Sequence, residues 1–347
     1  MEEPWNFKQK LSKDLFFIRG CAIFSVVVGH VIGDRHSGIR QLYDQDIAEF
    51  SWLFSFIYTF HLPIFFILSG VSFAIFAKRD VPFLEFIQAK IGRLIVPLVC
   101  WAPLYCVFKS LSDKQTLTIY RLVDSILITD FVFWFFPALF FATVLAFIIL
   151  KLFHSPFLYQ LVSTALLVLA FYIGGQFSVW FHFNIFYAFG FSIALVLPRI
   201  SSLIAEASKR KNLLVIFLTI SVMILINSLV DFRYLSIGLS QYINGPLGFL
   251  LIYLVAIRGK LLFSFNGKML LSIRNALIYL GKISMSIYLL HVLCASATRI
   301  FLVKLGVINL TIHFALGVSV AIMGPVLIHN FLAQRSKLYL ISIGEAK

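Results

Sequence analysis

Ten apolar runs, most of them near the length of a membrane crossing, follow one another along the 347 residues with only short polar connectors between them. A helix needs about 20 largely apolar residues to cross the hydrocarbon of a bilayer. Lipid offers no partner to a backbone amide, so such runs must satisfy their own hydrogen bonds as helices. The runs are 15–33, 50–77, 93–108, 131–152, 157–174, 180–197, 213–230, 243–257, 283–303 and 311–332. Composition enters in support. With 61% hydrophobic and 13% charged residues, the chain has about half the charge of a soluble domain. One soluble core could not absorb that apolar surface and still be coated with polar groups, and disorder is excluded for the same reason. The expected fold is an all-α, polytopic transmembrane helical bundle of about ten spans, a single membrane domain over residues 1–347.

Local features refine this picture. The second run is too long for one straight crossing and contains Pro63, which predicts a broken or tilted helix. Segments 82–92 and 112–129 read as short interfacial helices, and 33–49 and 198–212 as polar connectors. The first run follows Lys8, Lys10 and Lys13, as a signal peptide would, but it carries Arg19 and His30; an uncleaved anchor fits better.

The net charge of +14 would suggest nucleic acid in a soluble protein. Here it follows topology. With the N-terminus inside and the spans alternating, 20 of the 29 basic residues fall on the cytoplasmic side, among them Lys78, Arg79, Arg274 and Lys347, and both termini face the cytoplasm. Eight, including Arg35, Lys114, Arg233 and Arg299, fall outside, and Arg19 lies within the first span. Cys21, Cys100, Cys106 and Cys294 sit in apolar runs without CxxC spacing and read as buried hydrophobes. The eight histidines show no ligand spacing, so no metal is expected.

Ionisable residues inside spans are costly and mark functional sites by default. Arg19 and His30 stand eleven positions apart, about 1100° around a helix, so they share one face about 16 Å apart along the axis. A permanently charged guanidinium suits a phosphate or carboxylate. An imidazole suits acid–base chemistry on a hydroxyl. Taken singly, each also has a plain reading: Arg19 snorkelling to headgroups, His30 bonded to a carbonyl. His61, before Pro63, and His291, in the ninth run, read equally as interhelical hydrogen-bonding groups. Lys90 and Arg93, ahead of Pro97, form a basic approach to the third run that serves topology or a phosphorylated donor.

The segment Asp14-Leu15-Phe16-Phe17-Ile18-Arg19-Gly20, followed by Val28-Gly29-His30, resembles the first-span motif of the acyltransferase-3 family of integral membrane acyltransferases. Phe65-Phe66-Ile67-Leu68-Ser69-Gly70 looks like the second-span signature of that family. Lys90-Ile91-Gly92-Arg93-Leu94-Ile95-Val96-Pro97 is similar to its basic run. Trp134-Phe135-Phe136-Pro137-Ala138-Leu139 resembles its fourth-span aromatic motif, and the stretch from Leu280 to His291 its near-C-terminal one. Met285 and Gly92 depart from the pattern; neither is a proposed catalytic group.

The resemblance implies acyl transfer, commonly of acetyl, from cytoplasmic acetyl-CoA or another acyl-CoA to a hydroxyl of a surface polysaccharide or lipid-linked sugar. It places His30 and Arg19 in catalysis, with Arg93, Lys90, His61, Trp134, Ser69 and His291 binding substrate. No bound cofactor is expected; acyl-CoA is a substrate. The partners are the donor, a glycan acceptor and membrane lipids, without nucleic acid, in a multi-pass protein of the bacterial inner membrane. An acidic residue of the 33–49 segment (Asp34, Asp44, Asp46 or Glu49) is expected to orient the imidazole. A transporter or flippase of an anionic lipid-linked substrate is the competing reading, although only one span is broken and no inverted repeat is present.

Overall fold

The computed structural model describes residues 4–34, 37–42, 47–77, 80–112, 116–128, 132–229, 239–262 and 267–345. Among these the regular structure is helical throughout, with no strand. Arg35, Asp44, Asp46, Lys78, Arg79, Lys114, Arg233 and Lys347, which entered the charge and loop arguments, lie outside the described residues. The helices are α1 (Pro4–Ile32), α2 (Ala48–Tyr58), α3 (His61–Phe76), α4 (Phe83–Lys90), α5 (Val96–Ser112), α6 (Ile119–Leu127), α7 (Phe135–Phe153), α8 (Pro156–Ala170), α9 (Gly175–Glu206), α10 (Lys209–Leu229), α11 (Leu239–Leu262), α12 (Gly267–Lys282), α13 (Ser284–Lys304), α14 (Leu310–Leu332) and α15 (Lys337–Ser342). Nine helical stretches among the described residues are long and apolar enough to cross a membrane, and α8 is a shorter apolar helix. The protein is an integral, multi-pass membrane protein.

Several local expectations need correction. Segment 82–92 is no separate interfacial helix: α4 continues through a π turn, Ile91–Ile95, into α5, giving one apolar stretch over Phe83–Leu111. The proposed connector 198–212 is largely helical, because α9 absorbs Pro198 and runs on to Glu206. Residues 267–282, whose basic residues entered the charge count on the cytoplasmic side, form α12. This amphipathic helix carries Lys268, Arg274 and Lys282 and packs on α1. Segment 112–129 does contain a short amphipathic helix, α6. Its Ile119 and Tyr120 are exposed, as in a helix lying in the headgroup boundary.

The chain divides into two compact units, residues 1–68 with 195–330, and residues 69–194 with 331–347. In the first, α1 is the central element and packs on α11, α12 and α13. Hydrophobic burial gives helices little reason to associate in lipid, so small residues that let backbones approach do much of the work. At the α1–α12 crossing, a Cβ on Gly20 would run into the Leu277 carbonyl oxygen, and one on Gly281 into that of Phe16. An ion pair between Arg274 and Asp14 (2.7 Å) ties the same two helices. In the second unit, Gly70 lies on the backbone of Tyr187, and a buried chain runs from Tyr159 through Asn184 to Ser163.

Candidate active site

Both Arg19 and His30 lie on the unbroken α1, so their eleven-residue spacing does place them on one helix face. Arg19 is half-buried, its guanidinium carbon 5.7 Å from the ring centre of Phe16 one turn back. His30 sits two residues before the end of the helix. Gly33, in the left-handed region at φ 69°, then turns the chain sharply. Gly38, at φ 61°, lets the chain fold back, and Ile39 N–H donates to the Val31 carbonyl at 2.9 Å. Arg299 of α13 fastens this turn by donating to the Gly38 carbonyl at 2.8 Å.

Two rings from elsewhere in the first unit meet His30, and a third meets one of those two. The His291 ring of α13 lies 5.1 Å away, edge-on at 60°. The Tyr58 ring, at the end of α2, lies at 6.3 Å and 68°. Tyr58 in turn meets the His61 ring at 4.6 Å and 76°. Gly29 allows the approach, since the nearest Tyr58 ring carbon lies only 3.1 Å from where a Cβ on Gly29 would stand. The Phe54 ring lies 4.1 Å from that of Tyr58.

The three histidines differ in what remains available. His61 donates from Nδ1 to the Ile57 carbonyl at 2.7 Å. His291 donates from Nδ1 to the carbonyls of Ile287 (3.0 Å) and Tyr288 (2.8 Å). A carbonyl only accepts, so both Nδ1 atoms carry the proton, and in a neutral ring Nε2 holds the lone pair. Nε2 of His291 is buried without a hydrogen-bond partner. His61 and His291 are 1% and 0% exposed, whereas His30 keeps accessible surface. Only His30 of the three is open to a small reactant. The local hydrogen bonds of His61 and His291 are those of ordinary membrane histidines, yet they also fix the two rings around His30.

The α2–α3 break falls at Thr59 and Phe60, four residues before Pro63. Pro63 has no N–H to offer the Thr59 carbonyl, so the helix opens there. The opened carbonyls find other donors. That of Phe56 accepts from Thr59 N–H (3.2 Å) and the Thr59 hydroxyl (2.7 Å); that of Ile57 accepts from Phe60 N–H (3.2 Å) and His61. Gln241 and Asn244 of α11 reach the same break. Neither was singled out from the sequence, where they read as polar residues at the start of an apolar run.

The other expected substrate-binding residues fall in the second unit. Ser69 is half-buried on α3, beside Gly70. Lys90 ends α4 with its ammonium 5.1 Å over the Phe86 ring, which itself stacks on Phe147 at 3.9 Å. Arg93 is exposed in the π turn, and beside Gly92 no other atom comes within 4 Å of where a Cβ would lie. Gly344 abuts the Arg93 backbone, and Trp101 Nε1 donates to the Ser342 carbonyl at 3.0 Å, so the C-terminal segment packs along this stretch. Trp134 precedes α7, half-buried, with the Phe183 ring 4.8 Å away on one side.

Among the described residues no three His, Cys, Asp or Glu side chains are placed to hold a metal ion. Of the acidic residues expected to orient His30, Asp34 and Glu49 are described. No match to this chain was found among curated proteins or among solved structures. The sequence profile of the acyltransferase-3 family, an acyltransferase domain, matches residues 13–330, nearly the whole chain.

Proposed function

Since the chain belongs to the acyltransferase-3 family and is a membrane acyltransferase, we propose that it transfers acetyl from acetyl-CoA to a hydroxyl of a surface polysaccharide or lipid-linked saccharide, with His30 as general base. The observation that carries this reading is the pairing of an accessible His30 with Arg19 on one helix face, His30 being hemmed in by rings of fixed orientation.

The imidazole of His30 takes the proton of the acceptor hydroxyl as its oxygen attacks the thioester carbonyl carbon. The new C–O bond forms and the C–S bond breaks. The thiolate of CoA leaves and recovers the proton from the imidazolium, so the ring ends as it began. Holding both substrates at one histidine replaces an encounter in solution by a step within one complex. Arg19, about three turns away on the same face, receives a phosphate of the donor. With the orientation favoured by the basic residues, CoA arrives from the cytoplasm, and a bacterial inner membrane is the setting. Lys90 and Arg93 add charge for the donor, and Trp134 offers a face for a sugar ring.

The test is incubation of membranes containing the protein with acetyl-CoA labelled in the acetyl group. Label in the glycan fraction, lost in His30→Ala, supports the reading. Label that stays in CoA or appears only as free acetate, with His30 intact, overturns it.

A further inference from the structure

We infer that Asn244 and Gln241 of α11 are positioning residues for the reaction, acting through the α2–α3 break on Tyr58 and His61; this rests on the proposed role of His30. Three hydrogen bonds define the contact. Gln241 Nε2 donates to the Tyr58 carbonyl at 3.0 Å. Asn244 Nδ2 donates to the Thr59 hydroxyl oxygen at 3.1 Å and to the Met223 carbonyl of α10 at 3.2 Å. The Thr59 hydroxyl passes its own proton on to Phe56, so the chain of donors has one direction. Asn244 and Thr59 are fully buried and Gln241 nearly so. The residues seized, 58 and 59, stand three and two positions before His61, and Tyr58 carries a ring that meets those of both His30 and His61.

A second observation separates this contact from ordinary helix adhesion. The Asn244 Oδ1 is buried with no partner. The opposite amide orientation would set that oxygen against the Met223 carbonyl, so the observed one is required. An unsatisfied buried acceptor costs stability, and an apolar residue of the same size would avoid the cost. Gly248, one turn further along α11, packs against Phe60, with the nearest approach to its Cβ position at 3.2 Å, so α11 already docks on the break through apolar contact. Asn244 therefore adds direction to the contact rather than strength.

The experiment uses the full-length protein with acetyl-labelled acetyl-CoA and the glycan of the producing membranes as acceptor, alongside thermal unfolding of the detergent-solubilised protein. Asn244→Leu is expected to unfold at or above the wild-type temperature. Its kcat should fall by about tenfold to a hundredfold, while KM for acetyl-CoA stays within about twofold. Thr59→Val should reproduce the loss, Thr59→Ser should retain activity, and the Asn244→Leu/Thr59→Val double variant should lose no more than either alone. A folded Asn244→Leu with wild-type kcat, or a double loss equal to the product of the single ones, overturns the inference alone. Absence of His30-dependent transfer in the wild type overturns the catalytic reading, and this inference with it.

Discussion

His61 commits one ring nitrogen to a carbonyl at the end of α2 and His291 commits one to carbonyls of its own helix, whereas Lys90 and Arg93 flank a glycine beside which no atom approaches. The first region is closed by rings and backbone partners; the second presents charge on an exposed turn. The contrast teaches where specificity and reactivity reside in such a chain. A buried group whose orientation is fixed by several partners tolerates little displacement, so its replacement has steep consequences. An exposed charge is screened, and its replacement has shallow, salt-dependent ones.

Substitutions can break this comparison, and the largest effect belongs to His30. His30→Ala, with the protein still present in the membrane, is expected to lower acetyl transfer by about a hundredfold to ten-thousandfold, measured as label reaching glycan. A loss as small as that at Arg93 would show that the closed cluster is not the reacting one. Tyr58→Ala comes next, with kcat lowered about tenfold to a hundredfold as the His30 and His61 rings lose the ring that both meet. Gly281→Ala tests the scaffold below the cluster. Its new methyl meets the Phe16 carbonyl oxygen, so destabilisation of about 1–3 kcal/mol is expected, read as a lower unfolding temperature in detergent. Arg93→Gln should be mildest. It should raise KM for acetyl-CoA by no more than about fivefold and leave kcat intact, and the difference from wild type should shrink at high salt.

How much of this was legible beforehand depends on whether the signal is local. The apolar runs and the Arg19–His30 face could be read because span length and helical phase are properties of contiguous residues. That His291 and Tyr58 meet at His30 could not, because three separate helices bring them there and nothing in a single chain records the pairing. Pro63 announced a break, but the break lies four residues earlier, where the missing N–H is felt rather than where the ring stands. The extent of α9 was misjudged because Pro198 and the polar residues after it look like a connector. Helix α12 was missed because its basic residues were counted only for topology. Gln241 and Asn244 carried only a weak signal, two amides one turn apart at the head of an apolar run.

A π turn contains one residue more than the α-helical turn it replaces, and the one at Ile91–Ile95 lies between Lys90 and the whole of α5. Deleting Gly92 would therefore heal the helix into regular α geometry rather than break it. Because the wide turn absorbs its extra residue locally, the repair would leave Phe86 against Phe147 and the Lys90 ammonium on nearly the same bearing relative to α5. Chain length at this point is thus decoupled from the direction of the side chains on either side. Gain or loss of a single residue here would leave the charge where it stands.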